Sequence, residues 1–248
     1  MYSFKGKKVL VAGGTGLIGR PLVEFLLQGG AHLRIASLDD PSCAPGNTEF
    51  WQIDLTSLDN CMAVCKGIDY VFNLLCIKGS PEIANAEPDK FYVPHLMFNT
   101  NLMEAARRCK TEGFLFTSTL GVYAPAEVFY EDDVWKKMPS PNDWFAAHAK
   151  RAGELQAEAY QKSTCGWNNI SIVRPANAYG PYDNFNPKSS MVIPSLIKKA
   201  VDGMNPFVVW GDGTQVRDFI HARDVAYGMI LIAKIGYKNP VNLGSGTG

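Results

Sequence analysis

The stretch Ala12-Gly13-Gly14-Thr15-Gly16-Leu17-Ile18-Gly19 follows a short apolar run, KVLVA (8–12), and opens a helical pattern, LIGRPLVEFLLQGG. Glycines at this spacing permit a tight turn and let backbone come close to a pyrophosphate. The helix that follows offers N–H groups and the positive end of its dipole. A glycine pattern alone is weak. Between a strand and a helix at the start of a βαβ chain, it predicts a dinucleotide site built from Gly13, Thr15, Gly16, Leu17, Ile18 and Gly19. An acid is expected near the end of the second strand, where it bonds ribose hydroxyls. Asp39 fits that role and favours NAD; Ser37 at the strand end, with Arg34 nearby, instead tolerates a 2′-phosphate, so NADP is the alternative. Asp54 either bonds the adenine amino group or caps the turn before Thr56. A second stretch, WFAAHAKRAGE (144–154), places Lys150 to assist a group one helical turn earlier. That position is Ala146, which has no chemistry.

The elements that must hold these residues read as alternating strands and helices. Strands are expected at 8–12, 32–37, 49–55, 69–76, 113–119 and 169–175, with helices after Gly16, at 57–66, at 97–110 and from Ala146 to about Lys162. This alternation predicts an α/β fold: a doubly wound parallel sheet of Rossmann type. Residues 1–175 form the dinucleotide-binding domain, with helix 222–235 and strand 240–245 packing with it or beside it. Residues 176–221 supply a small substrate-binding cap. Segments 124–143 and 176–220 are rich in Pro, Gly, Asn and Asp and too long for simple turns, which marks them as functional loops or cap.

Composition excludes several classes. Lys+Arg and Asp+Glu are both 24 in 248 residues, so nucleic acid and an anionic membrane surface are not expected partners. The apolar stretch at 9–27 is broken by glycines, Arg20 and Pro21 and is not a membrane span. MYSFKGKK leaves no room for a signal-peptide core, so the six cysteines are expected as free thiols in a reducing cytoplasm. Cys61 and Cys65 share a helix face, but no second pair completes a zinc site, and no metal is expected.

The Gly13-x-x-Gly16-x-x-Gly19 spacing, FTSTLGVYA (116–124), Lys150 in AKRAGE, RPANAYGP (174–181) and WGDGTQVRDFIHARDVA (210–226) together resemble the extended short-chain dehydrogenase/reductases, the nucleotide-sugar epimerases, dehydratases and reductases. The stretch YGPYDNFNPKSSMVIPSLIKK (179–199) is most similar to the GDP-L-fucose synthases. The resemblance implies NAD(P) on the glycine loop and a nucleoside diphosphate sugar beneath the cap. It puts Thr119 on the reacting sugar oxygen and Lys150 on the nicotinamide ribose. Leu55 and Pro175 join the cofactor side, and Asn177, Val192 and Arg217 contact the substrate. The residue chemistry agrees. Thr119 ends strand five, where α/β sheets place ligands, or else is satisfied by backbone. A guanidinium at Arg217 suits a diphosphate, or else pairs with Asp212 or Asp218.

The sequence also departs from the family. The family's tyrosine lies four residues before the lysine, and a nearby cation lowers its phenol toward a working base. Here that position is Ala146. Replacements are Tyr123, four residues beyond Thr119, then Tyr179, Tyr182, Asp183 or a water held by Thr119 and Lys150. His148 lies about 200° around the helix from Ala146 and is expected at the surface or an interface. The cysteine and histidine of fucose synthases correspond to Gly121 and Met191, so double epimerisation does not carry over. In the family another segment of the substrate lobe follows VNLGSGTG, so the cap is expected to be minimal or cut. The expected function is an NAD(P)-dependent nucleotide-sugar epimerase or dehydratase. The alternatives are a non-catalytic dinucleotide or sugar-nucleotide binder and a keto-sugar reductase. Small residues along 146–162, with helix 97–110, predict a homodimer.

Overall fold

The computed structural model describes residues 4–77, 86–187 and 189–247. Among these, seven strands form one parallel sheet in the order β3-β2-β1-β4-β5-β6-β9. They are β1 (Lys8–Ala12), β2 (His32–Ser37), β3 (Glu49–Gln52), β4 (Tyr70–Asn73), β5 (Gly113–Thr117), β6 (Ile170–Pro175) and β9 (Val241–Leu243). The order reverses between β1 and β4, and a parallel sheet opens its ligand crevice at such a point, beyond the carboxyl ends of the strands.

Among the described residues, α1 (Gly19–Gln28), α2 (Leu58–Cys65), α3 (Pro88–Arg108), α4 (Trp144–Lys162) and α6 (Ala222–Ile235) pack on the sheet, and α5 (Val192–Val201) lies in the loop-rich segment 176–220. The central strands are apolar almost throughout because both faces are buried. Successive side chains alternate between two cores. Val9, Val11, Ile35, Phe72, Leu115 and Val173 pack with α1 and α6. Leu10, Ala36, Val71, Phe114, Phe116 and Ile172 pack with α2, α3 and α4.

The fold matches the expected doubly wound sheet, with corrections at the edges of elements. β3 and β4 stop at Gln52 and Asn73, short of the expected 55 and 76. Beyond Asn73 the chain leaves the ladder and is held by a side chain, with Leu75 N donating to Asn73 Oδ1 at 3.1 Å. α3 begins at Pro88 rather than 97 and continues through Pro94. Two elements within 176–220 were unmarked by periodicity: α5, and a two-stranded parallel pair, β7 (Asn177–Tyr179) with β8 (Phe219–His221). Three-residue strands carry too few side chains to show alternation. β9 closes the sheet against β6, with Arg174 opposite Asn242.

The small residues of α4 are used first against the protein itself. Ala147, Ala149 and Ala157 are buried, and a Cβ on Gly153 would lie 2.3 Å from Phe116 Cζ of β5. Ala152 and Ala159 are exposed. One residue further, Glu154 forms a two-point ion pair with Arg174 of β6 at 2.9 and 2.7 Å, and both side chains are almost fully enclosed. Removing one partner leaves the other charge buried without compensation. Glu154→Ala is therefore expected to destabilise the fold by about 3–5 kcal/mol in urea unfolding; a loss below about 1 kcal/mol, the range of a surface pair, would contradict this reading.

Candidate active site

The glycine loop is shaped by close approach. Gly13 has φ +79°, and its N–H donates to Ala36 O at 2.9 Å. A Cβ on Gly19 would lie 2.3 Å from Gly13 O and 2.7 Å from Gly14 Cα, so no side chain fits there. At Gly16 a Cβ would meet only Gly13 O, at 3.4 Å, which leaves the outer side of the loop open. The first α-helical bond is Arg20 N to Gly16 O at 3.0 Å. The N–H groups of Leu17, Ile18 and Gly19 therefore have no acceptor within the helix. Open backbone and a helix N-terminus fit a pyrophosphate.

The side chains at the mouth of β2 are prearranged. Thr15 Oγ1 lies 3.0 Å from Ser37 Oγ and 2.5 Å from Asp39 Oδ2. Ser37 Oγ donates to the same carboxylate at 3.1 Å and accepts from Asp39 N at 3.2 Å. Asp39 is thus held at the mouth of β2. Arg34 is not there: it pairs with Glu49 at 2.9 Å and donates to Val64 O and Lys66 O, toward the other end of the strand. Asp54 Oδ1 accepts from Thr56 N at 2.9 Å, which is the turn-capping arrangement. Leu55 is buried in the core beside Cys61.

Lys150 reaches from α4 to the carboxyl ends of β4 and β5. Its Nζ donates to Thr117 O at 2.8 Å and Leu75 O at 3.1 Å. Burial lowers its pKa from the ordinary lysine value, opposed by the nearby Cys76 and Glu154. Residues that sequence reasoning missed hold the segment that receives it. Asn73 Nδ2 donates to Asn99 Oδ1 at 3.0 Å, and Ile77 N donates to His95 Nε2 at 3.3 Å. His95 Nδ1 lies 2.6 Å from Phe91 O. Accepting at Nε2 places the proton on Nδ1, the neutral tautomer assigned from these partners. Burial, reinforced by the Lys150 charge, lowers the His95 pKa from 6.5 to about 4. An asparagine inside an apolar strand and a histidine one helical turn beyond Phe91 were the available signals.

β5 stops at Thr117, short of the expected 119, so Thr119 lies two residues beyond it, half-buried, with its Oγ1 accepting from Gly121 N at 3.2 Å. Ala146 is half-buried one turn before Lys150. Tyr123 is turned away from solvent, 3% exposed. Its hydroxyl accepts from Arg174 at 2.6 Å and donates to Asn242 at 2.7 Å, and burial raises its pKa. It braces β6 and β9 rather than offering a free proton. His148 is half-buried against Trp144, ring centroids 4.5 Å apart, with Nε2 enclosed and without a partner. Tyr182 carries the Arg20 guanidinium over its ring at 4.5 Å. Tyr179 meets His221 edge-on, and Asp183 accepts from Asn184 N.

On the cap side, Asn177 donates to Asp218 O at 2.9 Å, and Val192 begins α5 half exposed. Pro175 ends β6 opposite Leu243. Arg217 is exposed and donates to Val216 O. Neither candidate acid takes it. Asp212 accepts from Thr214 and Gln215, and Asp218 accepts from Ser245 and Gly246. One further residue was missed. Asp143, the last residue before α4, places its Cγ 3.4 Å from where a Gly121 Cβ would stand, and Thr119 Cγ2 lies 3.5 Å from the same point. Loss of hydration raises the Asp143 pKa above the usual aspartate value, with the Arg217 charge acting against the rise.

The glycine loop opens at the place where a doubly wound α/β enzyme carries its ligand crevice. The profile of the NAD dependent epimerase/dehydratase family matches residues 9–244, and the chain belongs to that family. It is 30% identical over 254 residues to a probable GDP-L-fucose synthase 1 from Oryza sativa subsp. japonica, covering 98% of this chain and 73% of that protein. Its fold is similar to a UDP-N-acetylglucosamine 4-epimerase from Methanobrevibacter ruminantium M1 in complex with UDP-N-acetylmuramic acid, with TM-score 0.85 and 26% identity over 98% of this chain and 78% of that one. It is also similar to MoeE5 in complex with UDP-glucose and NAD, with TM-score 0.80 and 28% identity over 97% and 77% of the two chains.

The His95 arrangement has a pH signature. Because folding lowers the pKa, its contribution is fully present above pH 6.5 and is lost as pH falls through about 4. The size is on the order of 3 kcal/mol. Unfolding free energies measured between pH 7 and pH 4 should fall more steeply for the wild type than for His95→Gln; parallel curves would show that His95 is not held neutral.

Proposed function

We propose that this chain is an NAD-dependent nucleotide-sugar epimerase or dehydratase that works by transient oxidation of the sugar, with a site that lacks the family's tyrosine. One observation carries the reading: the buried Lys150 ammonium and the Thr119 hydroxyl stand at the carboxyl ends of adjacent strands, in the crevice that begins at the glycine loop. A nicotinamide bound there supplies a reversible acceptor for the C–H electron pair of a sugar carbinol. The loop from Gly13 to Gly19 holds the pyrophosphate, and Ser37 and Asp39 meet the adenosine ribose. Lys150 donates to the nicotinamide ribose, and Thr119 holds the reacting oxygen. The cap, residues 176–221 above a dinucleotide domain of residues 1–175, brings Asn177, Val192 and Arg217 to a nucleoside diphosphate. NAD is favoured over NADP because the Asp39 carboxylate occupies the ribose corner while Arg34 is engaged elsewhere.

The named relatives act on GDP- and UDP-sugars, which makes both nucleotides candidates. A non-catalytic binder is the second reading, favoured by Ala146, which has no proton to move. No helix among the described residues is long and apolar enough to cross a membrane. All six cysteines are free, which suits a reducing cytoplasm. Val93 and Met97 of α3 and Phe145 and Leu155 of α4 are exposed, and these paired helices supply the face of the proposed homodimer.

Incubation with NAD and a panel of UDP-, GDP-, CDP- and dTDP-sugars, read by chromatography and NMR, tests the function. Conversion of one sugar, with Lys150→Met reduced by about 100-fold or more in kcat/KM, is the expected result. Cofactor binding without any conversion selects the binding protein. Light scattering at micromolar concentration should return the mass of a dimer, and a monomer mass would reject the α3–α4 interface.

A further inference from the structure

Removing a hydride from a carbinol requires a group to take the hydroxyl proton, and the face of α4 that carries Lys150 presents Ala146 where that group would stand. The obvious substitutes are committed. The Tyr123 hydroxyl both accepts and donates within the Arg174–Asn242 network. His148 lies against Trp144, and Tyr182 stacks on Arg20. Asp143 is different. It lies just outside α4, three residues before Ala146 and seven before Lys150, is exposed at the surface, and makes no capping hydrogen bond to α4 through its side chain. Its carboxyl reaches the space above Gly121. That position has no side chain to block it, and a Cβ there would lie 3.4 Å from Asp143 Cγ and 3.5 Å from Thr119 Cγ2. Asp143 Cγ and the Thr119 methyl therefore flank one point, and Gly121 N donates to Thr119 Oγ1.

We propose that the Asp143 carboxylate is the proton acceptor and donor for the reacting sugar hydroxyl, taking the place of the tyrosine that Ala146 removes. The inference rests on the nucleotide-sugar reading above. As the C–H electron pair leaves the sugar carbon for the nicotinamide, the O–H bond breaks and its proton passes to an Asp143 oxygen. The oxygen lone pair closes the C=O bond, held by Thr119. On return the carbonyl carbon receives the electron pair and Asp143 gives the proton back, so the cycle is redox-neutral and needs no co-reactant. Partial dehydration raises the carboxylate's pKa and strengthens it as a base, and the Arg217 charge acts against that rise.

The test uses Asp143→Asn in the full chain, an isosteric change at a side chain that makes no helix-capping bond. NADH binding by fluorescence and the melting temperature should be unchanged. With UDP-glucose, UDP-N-acetylglucosamine and GDP-mannose as probes, kcat should fall about 100-fold or more with KM within about threefold, and the acidic limb of the wild-type pH profile should disappear. In the cofactor-free protein, carboxyl NMR should show Asp143 titrating above 3.8, and higher still in Arg217→Ala. A variant that keeps its turnover or its acidic limb, or a wild-type Asp143 that titrates at or below 3.8, overturns the role of Asp143 and leaves the function standing. A wild type that binds NADH and converts none of the three sugars overturns the function and this role with it.

Discussion

A parallel sheet buried on both faces can carry polar chemistry only where its strands end. Most of this site follows from that constraint. The strand interiors are filled by Val, Ile, Leu and Phe on both faces. The polar exception within β4, Asn73, sits at its last position and spends its amide on Asn99 and Leu75. Carbonyls freed at the ends of β4 and β5 then become the acceptors that draw the Lys150 ammonium out of water. A buried cation is tolerable only with such partners. Lys150 thereby ties α4 to the sheet at the place where a cofactor would lie.

Two of the three buried charges along α4 divide the labour, while the third, Arg151, donates to Val122 O and Lys137 O. Lys150 faces the crevice, and Glu154, one turn later, locks onto Arg174 of β6. Arg174 in turn orients the Tyr123 hydroxyl, which reaches Asn242 of β9. The loop after β5, the long helix and the last strand are thus joined by one chain of charge-assisted bonds. This is why Tyr123, attractive by spacing from Thr119, serves as a brace. Its position in the sequence says that it lies near the site. Only its neighbours say that its proton is already in use.

The glycine loop and the residues facing it show how little room separates binding from packing. Gly19 lies so close to Gly13 and Gly14 that the turn admits no side chain, while Gly16 leaves the outer side of the loop free. Asp39, Ser37 and Thr15 are already bonded to one another. The corner at the mouth of β2 is therefore already organised by its own side chains.

The sequence alone determined the strand–helix alternation, the glycine-rich turn, the lysine on α4 and the alanine one turn before it. Each depends on local spacing or on the conformational range of a single residue type, and local spacing is written in the chain. It did not determine what Tyr123, Arg34 or Asp54 would do, because each chose a partner among groups far away or around a turn. Arg34 went to Glu49 and the end of α2, and Asp54 to Thr56. Nor did it mark Asp143, which ends a loop rich in turn residues and acquires its place only when α4 begins two residues early and the carboxyl closes over Gly121. His95 and Asn73 look like ordinary polar residues until the segment after β4 leaves the sheet and needs their bonds. Tertiary structure decided these because a hydrogen-bonding group has several partners within reach of its chemistry, and only packing brings one of them to 3 Å.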